Sequence, residues 1–307
     1  MVFWIDSLSD MLSKNIEDIR GVHMNKRSIA VFQLTCAGFL WSLSGLFIKS
    51  VDLHPLAISS IRSAFAALVL LSYIKFRPKF SFSKAQIAGA LCYVGTVTLF
   101  VFANKTTTAA NAILLQYGAP IYVAFLGYWM LKEQLRWFDY VAVGGVAAGM
   151  LVFFADSLSG GNLLGNILAI LSGFTFAGQA ICMRLQKKGG LETILLGNFI
   201  AMAIGIPFVA MGPPSLAQMP SLFILGTFQL GFAYLLYSLA SRNVTALDII
   251  VIPMIEPILN PIWVFIGLGE RPGTFSLIGG AIVISTVGFK SYFSLKESSE
   301  PDEQPVS

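Results

Sequence analysis

Residues 109–120 read AANAILLQYGAP, and residues 246–257 read ALDIIVIPMIEP. Set one above the other, Ala109 stands over Ala246, Asn111 over Asp248 and Pro120 over Pro257, about 137 residues apart. The register holds outward from there. Gly89 falls over Gly226, Lys105 over Arg242, Glu133 over Glu270 and Phe138 over Phe275. Nearer the N-terminus the offset is slightly smaller: Gly38 and Phe39 match Gly173 and Phe174, Trp41 matches Phe176, and Lys49 matches Arg184. One unit is therefore used twice. A repeated membrane unit is a known way to build a pathway that opens on alternate sides.

That the unit is a membrane unit follows from composition. Hydrophobic residues make up 56% of the chain and charged ones 12%, against about half and a quarter in soluble domains. The apolar residues come in runs of about twenty, enough to cross a bilayer core as helix. Spans are expected at 29–48, 55–75, 85–103, 108–131, 138–155, 163–184, 191–211, 220–241, 246–268 and 274–293. The predicted fold is all-α and integral to the membrane, ten transmembrane helices built as two five-helix repeats.

Orientation follows from the basic residues. With the N-terminus in the cytoplasm, inside segments hold Lys14, Arg20, Lys26, Arg27, Lys75, Arg77, Lys79, Lys84, Lys132, Arg136, Arg184, Lys187, Lys188, Arg242, Lys290 and Lys296. Outside segments hold Lys49, Lys105 and Arg271. Both termini are then cytoplasmic. Five spans per repeat is an odd number, so the second repeat enters the membrane inverted, the arrangement that suits alternating access. The organisation expected is a cytoplasmic segment at 1–28, repeats at 29–155 and 163–293, and a disordered cytoplasmic tail at 294–307.

The start of the chain supports two readings. Trp4, Leu8, Met11, Leu12, Ile16 and Ile19 recur at helical spacing, as in an amphipathic helix lying on the membrane. Met24 before Asn25, Lys26 and Arg27 and an apolar run equally reads as a start, with residues 1–23 an upstream extension.

Several classes are excluded. The net charge of +4 is spread over span ends rather than gathered on a nucleic-acid face. Gly-Lys occurs nowhere, so no Walker A loop is present. His23 and His54 are far apart and no HExxH motif occurs, so neither a metal site nor a cofactor is expected. Cys36, Cys92 and Cys182 are odd in number and each lies inside a span, against a disulfide framework.

The ninth span carries the chemistry. Pro253, Pro257 and Pro261 recur every fourth residue and remove three backbone hydrogen bonds. The freed carbonyls need partners in protein or in a wet cavity. Glu256 lies near mid-span, where an ionisable group is costly and faces a cavity or a partner. Asn260 is one turn on, along the same face. They line a substrate or proton site, or a neutral Glu256 bonds a freed carbonyl for packing alone. The fourth span has the milder counterpart in Gln116, Tyr117 and Pro120. Arg62, in span two, contacts an anionic group or pairs with a carboxylate, or snorkels to the headgroups. Glu133 and Glu270 end their spans at hairpins, which they fix or gate. Trp41, Tyr93, Phe100, Tyr117, Phe176, Tyr234 and Trp263 lie mid-span with Ser42, Ser44, Gln179 and Gln229 among them. As a set they suit a cavity for a small molecule with an apolar part. Trp129, Trp137 and Tyr140 read as interface anchors, and Gly145 with Gly149 as a close-packing face.

These residues together resemble the drug/metabolite transporter superfamily in its ten-span EamA form. The carriers are residues 38–42 (GFLWS), the Pro55 to Arg62 segment, and the repeated Ala-rich start, mid-span proline and closing glutamate of each half. Lys132 departs from the glycine expected before Glu133. The resemblance covers about residues 30 to 292. It implies a secondary carrier of small polar metabolites in the inner or plasma membrane, many relatives being exporters of amino acids. It also implies a cavity lined by spans one, three, four, six, eight and nine, which makes Trp41, Tyr93, Gln116, Tyr117, Gln179, Tyr234, Glu256 and Asn260 the substrate-contact candidates. Glu256 and Arg62 are the candidates for proton coupling or an ion pair. The alternatives are an importer of a metabolite or nucleotide-type solute, a membrane sensor without transport, and an intramembrane enzyme.

Overall fold

The computed structural model describes residues 26–132, 135–157, 163–186, 190–269 and 274–299. The expected N-terminal surface helix, Glu133, Glu270 and the last eight residues lie outside that set. Eight helices are long and apolar enough to cross a membrane. In chain order, with two further helices between and after them, they are α1 (Lys26–Lys49), α2 (Pro55–Tyr73), α3 (Lys84–Thr106), α4 (Ala109–Leu131), α6 (Leu163–Leu185), α7 (Gly190–Met211), α8 (Met219–Ala240) and α9 (Ala246–Leu268). The further two are α5 (Trp137–Ser157) and α10 (Thr274–Ser299), whose apolar stretches, Trp137–Val152 and Ile278–Lys290, are shorter.

Helix starts are written locally. Ser83 caps α3 by accepting from the Gln86 N–H. Thr108 and Thr245, repeat equivalents, cap α4 and α9 by accepting from the N–H groups of Asn111 and Asp248. Pro55 opens α2 where its missing N–H costs nothing.

Large apolar side chains such as Phe32, Leu68, Phe125, Leu151 and Ile266 face outward. Arg62, Gln116, Asn198, Asp248, Glu256 and Lys290 are buried. That is the reverse of a water-soluble protein, and it is what lipid as solvent demands.

The repeats exchange with one another throughout. α3 packs on α6 as α8 packs on α1, and α3 packs on α7 as α8 packs on α2. Equivalent helices meet antiparallel. In α5 and α10, Gly145 lies against Thr286 and Gly149 against Val283 and Gly279, so one chain rises as the other falls. In α2 and α7, the Ser60 hydroxyl donates to the Met202 carbonyl while Gly205 abuts Leu56. In α4 and α9, the first segment of each packs on the second segment of the other. Equivalent helices running in opposite directions make the two repeats inverted about an axis perpendicular to the helices.

Three helices break near their middles: α1 at Ser42–Leu43, α4 at Tyr117–Gly118 and α9 at Ile252–Ile255. The α4 and α9 breaks are repeat equivalents, each just before a proline, Pro120 or Pro257. The α1 break has no proline. The Ser42 hydroxyl donates to the Phe39 carbonyl at 2.6 Å and bends the chain there. Gly38 of α1 lies against Pro253, and its equivalent Gly173 of α6 lies against Gln116. Each repeat thus seats a glycine of its first helix on the break in the other repeat's fourth, at the centre of the bundle.

Candidate functional site

The facing breaks border a narrow chamber with a free volume of about 30 Å³. Trp41 of α1, Arg62 of α2, Gln116 of α4, Phe176 of α6, Tyr234 of α8 and Glu256 of α9 are in its wall, with Thr96, Val97, Phe100, Gln229 and Leu230 completing it. That is room for a water or two and far below a small-molecule pocket, so in this conformation the chamber is closed down around its side chains.

Glu256 is the first residue of α9 after the break. Its N–H donates to the Pro253 carbonyl at 3.0 Å. Its carboxylate Oε2 accepts from the Tyr117 hydroxyl at 2.6 Å. Tyr117 is itself at the α4 break, so one hydrogen bond joins the two interrupted helices across the repeat axis. Arg62 is fully buried, and its Nη2 donates to the Val97 carbonyl. Its Nε has no hydrogen-bond partner. Among the described residues neither Arg62 nor Glu256 forms an ion pair, although both border the same chamber. Tyr234 stands within electrostatic reach of both.

An aromatic box completes the wall. The Trp41 ring meets Phe176 at 5.7 Å, Tyr234 at 4.9 Å and Tyr237 at 5.3 Å, measured between centroids. Trp41 and Phe176 are repeat equivalents, so the box straddles the axis. The Trp41 Nε1 and Tyr237 hydroxyl groups, both buried, are without hydrogen-bond partners. A polar relay runs along one side: the Gln116 amide donates to Ser172 at 2.8 Å, and the Ser172 hydroxyl donates to the Thr96 carbonyl at 2.9 Å.

Of the sequence candidates, Trp41, Arg62, Gln116, Tyr234 and Glu256 come together in the chamber wall, with Tyr117 bonded to Glu256. Tyr93 stands one layer back. Its ring packs on Tyr234 at 4.9 Å and its hydroxyl donates to Asn198 at 2.9 Å. Gln179 is buried close to Tyr234, with its carbonyl oxygen unbonded. Asn260 turns to α1, where its amide donates to the Ser44 hydroxyl at 2.9 Å. Trp263 does the same to Ser42 at 2.9 Å, so the α1 break is held by two α9 side chains. Thr96 and Ser172 were not singled out from sequence. A small hydroxyl residue in an apolar run carries little signal, and only the proximity of Ser172 to the paired glycine Gly173 marked its position.

The cysteines are free, and among the described residues no group of His, Cys, Asp or Glu is placed to hold a metal.

Comparison with known proteins places this architecture. The chain is 27% identical over 289 residues to an uncharacterized transporter of Archaeoglobus fulgidus, covering 86% of this chain and 97% of that one. It is 25% identical over 179 residues to solute carrier family 35 member G1 of Homo sapiens, covering 52% of this chain and 49% of that one. The mouse form of the same carrier is 22% identical over 292 residues, covering 85% and 77%. A solved crystal structure superposes with a TM-score of 0.67 at 16% identity, over 88% of this chain and 99% of that one, and shows a common fold. Residues 28–155 and 163–291 each match the EamA-like transporter family, one match per repeat, and the chain belongs to that family.

Proposed function

We propose that this membrane transporter is a secondary carrier that moves small polar metabolites by alternating access, and that it exports amino acids or related compounds. One observation carries the reading: a buried guanidinium and a buried carboxyl, Arg62 and Glu256, border one chamber without pairing to each other. Buried ionisable groups not paired with an opposite charge are costly and mark solute or ion paths in membrane proteins. Once the chamber widens, an amino acid complements them, its carboxylate toward Arg62, its ammonium toward Glu256 and its apolar body among Trp41, Phe176 and Tyr234. The inverted repeats supply two equivalent packings, one open to each side. Glu256 couples transport to protons by exchanging its own proton between the two states. The carrier sits in the inner or plasma membrane with both termini cytoplasmic, as the basic residues direct.

The test is a solute screen in proteoliposomes. Amino acids, nucleosides, sugars and organic acids are loaded on one side, with and without a pH gradient. The expected result is flux of amino acids carrying apolar side chains, accelerated by the gradient. Flux confined to nucleosides or sugars removes the amino-acid reading, and no flux of any solute removes the carrier reading.

A further inference from the structure

Away from the chamber, five charged side chains meet at the end of the bundle where α1, α5 and α9 begin. Asp248 of α9 is the hub, and it is fully buried. Its Oδ1 accepts from Lys290 of α10 at 2.6 Å, and its Oδ2 accepts from Arg27 of α1 at 3.1 Å. Lys290, also fully buried, reaches Asp139 of α5 at 3.3 Å. Asp139 is fixed in turn by the Arg136 N–H, which donates to its Oδ2 at 2.9 Å. With the Arg136 guanidinium 3.8 Å from Asp139, two acids and three bases gather here, and Arg27, Asp139, Asp248 and Lys290 tie four helices together. Arg27 and Asp139 come from the first repeat, Asp248 and Lys290 from the second.

The inverted repeat provides an internal control. The position equivalent to Asp248 at the opposite end of the bundle is Asn111. Thr245 and Thr108 accept from their N–H groups in the same way, and Asp248 in addition accepts from the Thr245 N–H at 3.2 Å. Asn111, however, is neutral, and its amide donates only to the Thr107 hydroxyl, at 3.3 Å. The scaffold is shared and the charge is not. An alternating carrier must part the helices at each end in turn. At the Asp248 end that means separating charge-assisted hydrogen bonds, which are stronger than neutral ones. Among the described residues, Asn111 itself gathers no charged partner.

We infer that the Asp248 hub is a latch that holds its end of the carrier shut at rest, so that the empty protein waits open or ready to open at the Asn111 end. The inference rests on the alternating-access reading. Its test needs no substrate, so it fails separately from any assignment of the solute.

Ile113 and Ile250 are equivalent positions, one near each end, and both are fully buried. Each is replaced by cysteine in turn, Ile113→Cys or Ile250→Cys, in the full chain with Cys36, Cys92 and Cys182 changed to serine. The protein is held in nanodiscs without solute and reacted with a membrane-impermeant maleimide. Asp248→Asn copies the residue that the other repeat uses at this position, so the cap is kept. It is expected to raise labelling at position 250 by about tenfold, the weight of one charge-assisted bond, and to lower labelling at position 113. Lys290→Gln, on a different helix, is expected to act in the same direction and serves if the first variant fails to fold. Unchanged rates at both positions overturn the latch. A rise at both positions overturns it as well, since that is a loosened protein and not one re-poised between two states.

Discussion

The Tyr117 hydroxyl donates to the Glu256 carboxylate at 2.6 Å, Tyr117 lying in the α4 break and Glu256 directly after the equivalent break in α9. Each break frees backbone carbonyls that lipid cannot satisfy. The Tyr117 hydroxyl also approaches the Pro253 carbonyl at 3.4 Å, so one side chain serves both the broken backbone and the buried acid. The contact is where the two halves register on each other at the level of the chamber, and it is the first place to probe.

Glu256→Gln keeps the size of the side chain and an oxygen that accepts from Tyr117, so the fold is expected to stand. The amide cannot exchange a proton. The variant is expected to lose acceleration by a pH gradient while still binding solute or exchanging it across the membrane. The check is counterflow and gradient-driven flux in the same vesicles. Gradient-driven flux equal to that of the unaltered protein rules Glu256 out as the coupling group. Tyr117→Phe removes the bond and leaves the carboxyl without its donor. A cost of about 1–3 kcal/mol in stability is expected, read as a lowered Tm in detergent.

Arg62→Met separates binding from folding. Arg62 is buried with the Val97 carbonyl accepting from its guanidinium, and burying a guanidinium without a carboxylate is unfavourable for the fold. A methionine of similar length fills the space without that charge. The variant is therefore expected to be as stable as the unaltered protein or more so, and to lose at least about tenfold in apparent affinity for solutes bearing a carboxylate. Thermal melts together with concentration-dependent uptake decide it. Unchanged uptake of such solutes would mean that Arg62 does not contact them.

How much of this was legible in the sequence differs by type of feature. The repeat and the inversion rest on hydropathy and register, which the chain displays directly, and of the ten expected spans eight are helices long and apolar enough to cross a membrane. The α9 break was announced by Pro253 and Pro257. The α1 break was not, because it depends on the Ser42 hydroxyl bending back to Phe39 and on Trp263 and Asn260 reaching across from α9. Asn260 illustrates the limit of spacing arguments. Its separation of four from Glu256 fixes a shared helix face, yet one turn of advance changes the neighbour from Tyr117 of α4 to Ser44 of α1. The Asp248 hub was hidden for a related reason. Lys290 and Arg27 stand at span ends, where basic residues read as markers of topology, and only the packing brings them to one acid.

The glycine pair at the centre tests the inverted architecture itself. A Cβ built on Gly38 would lie 2.6 Å from the Pro253 carbonyl oxygen, and one on Gly173 would lie 2.4 Å from that of Gln116. Both obstacles are backbone atoms at a helix break and cannot swing aside as a side chain does. Gly38→Ala and Gly173→Ala are each expected to destabilise by about 1–3 kcal/mol through overpacking. The two shifts in Tm should be similar, because the same contact is made once by each repeat. Gly144 of α5 has nothing within 4 Å of its added Cβ, and Gly144→Ala is expected to be neutral or slightly stabilising, since alanine is the better helix former. Melting curves of the three variants give the comparison. A tolerated alanine at position 38 alongside a damaging one at position 173 would show that the two glycine contacts are not equivalent, and the symmetric seating of α1 on α9 and α6 on α4 would have to be abandoned.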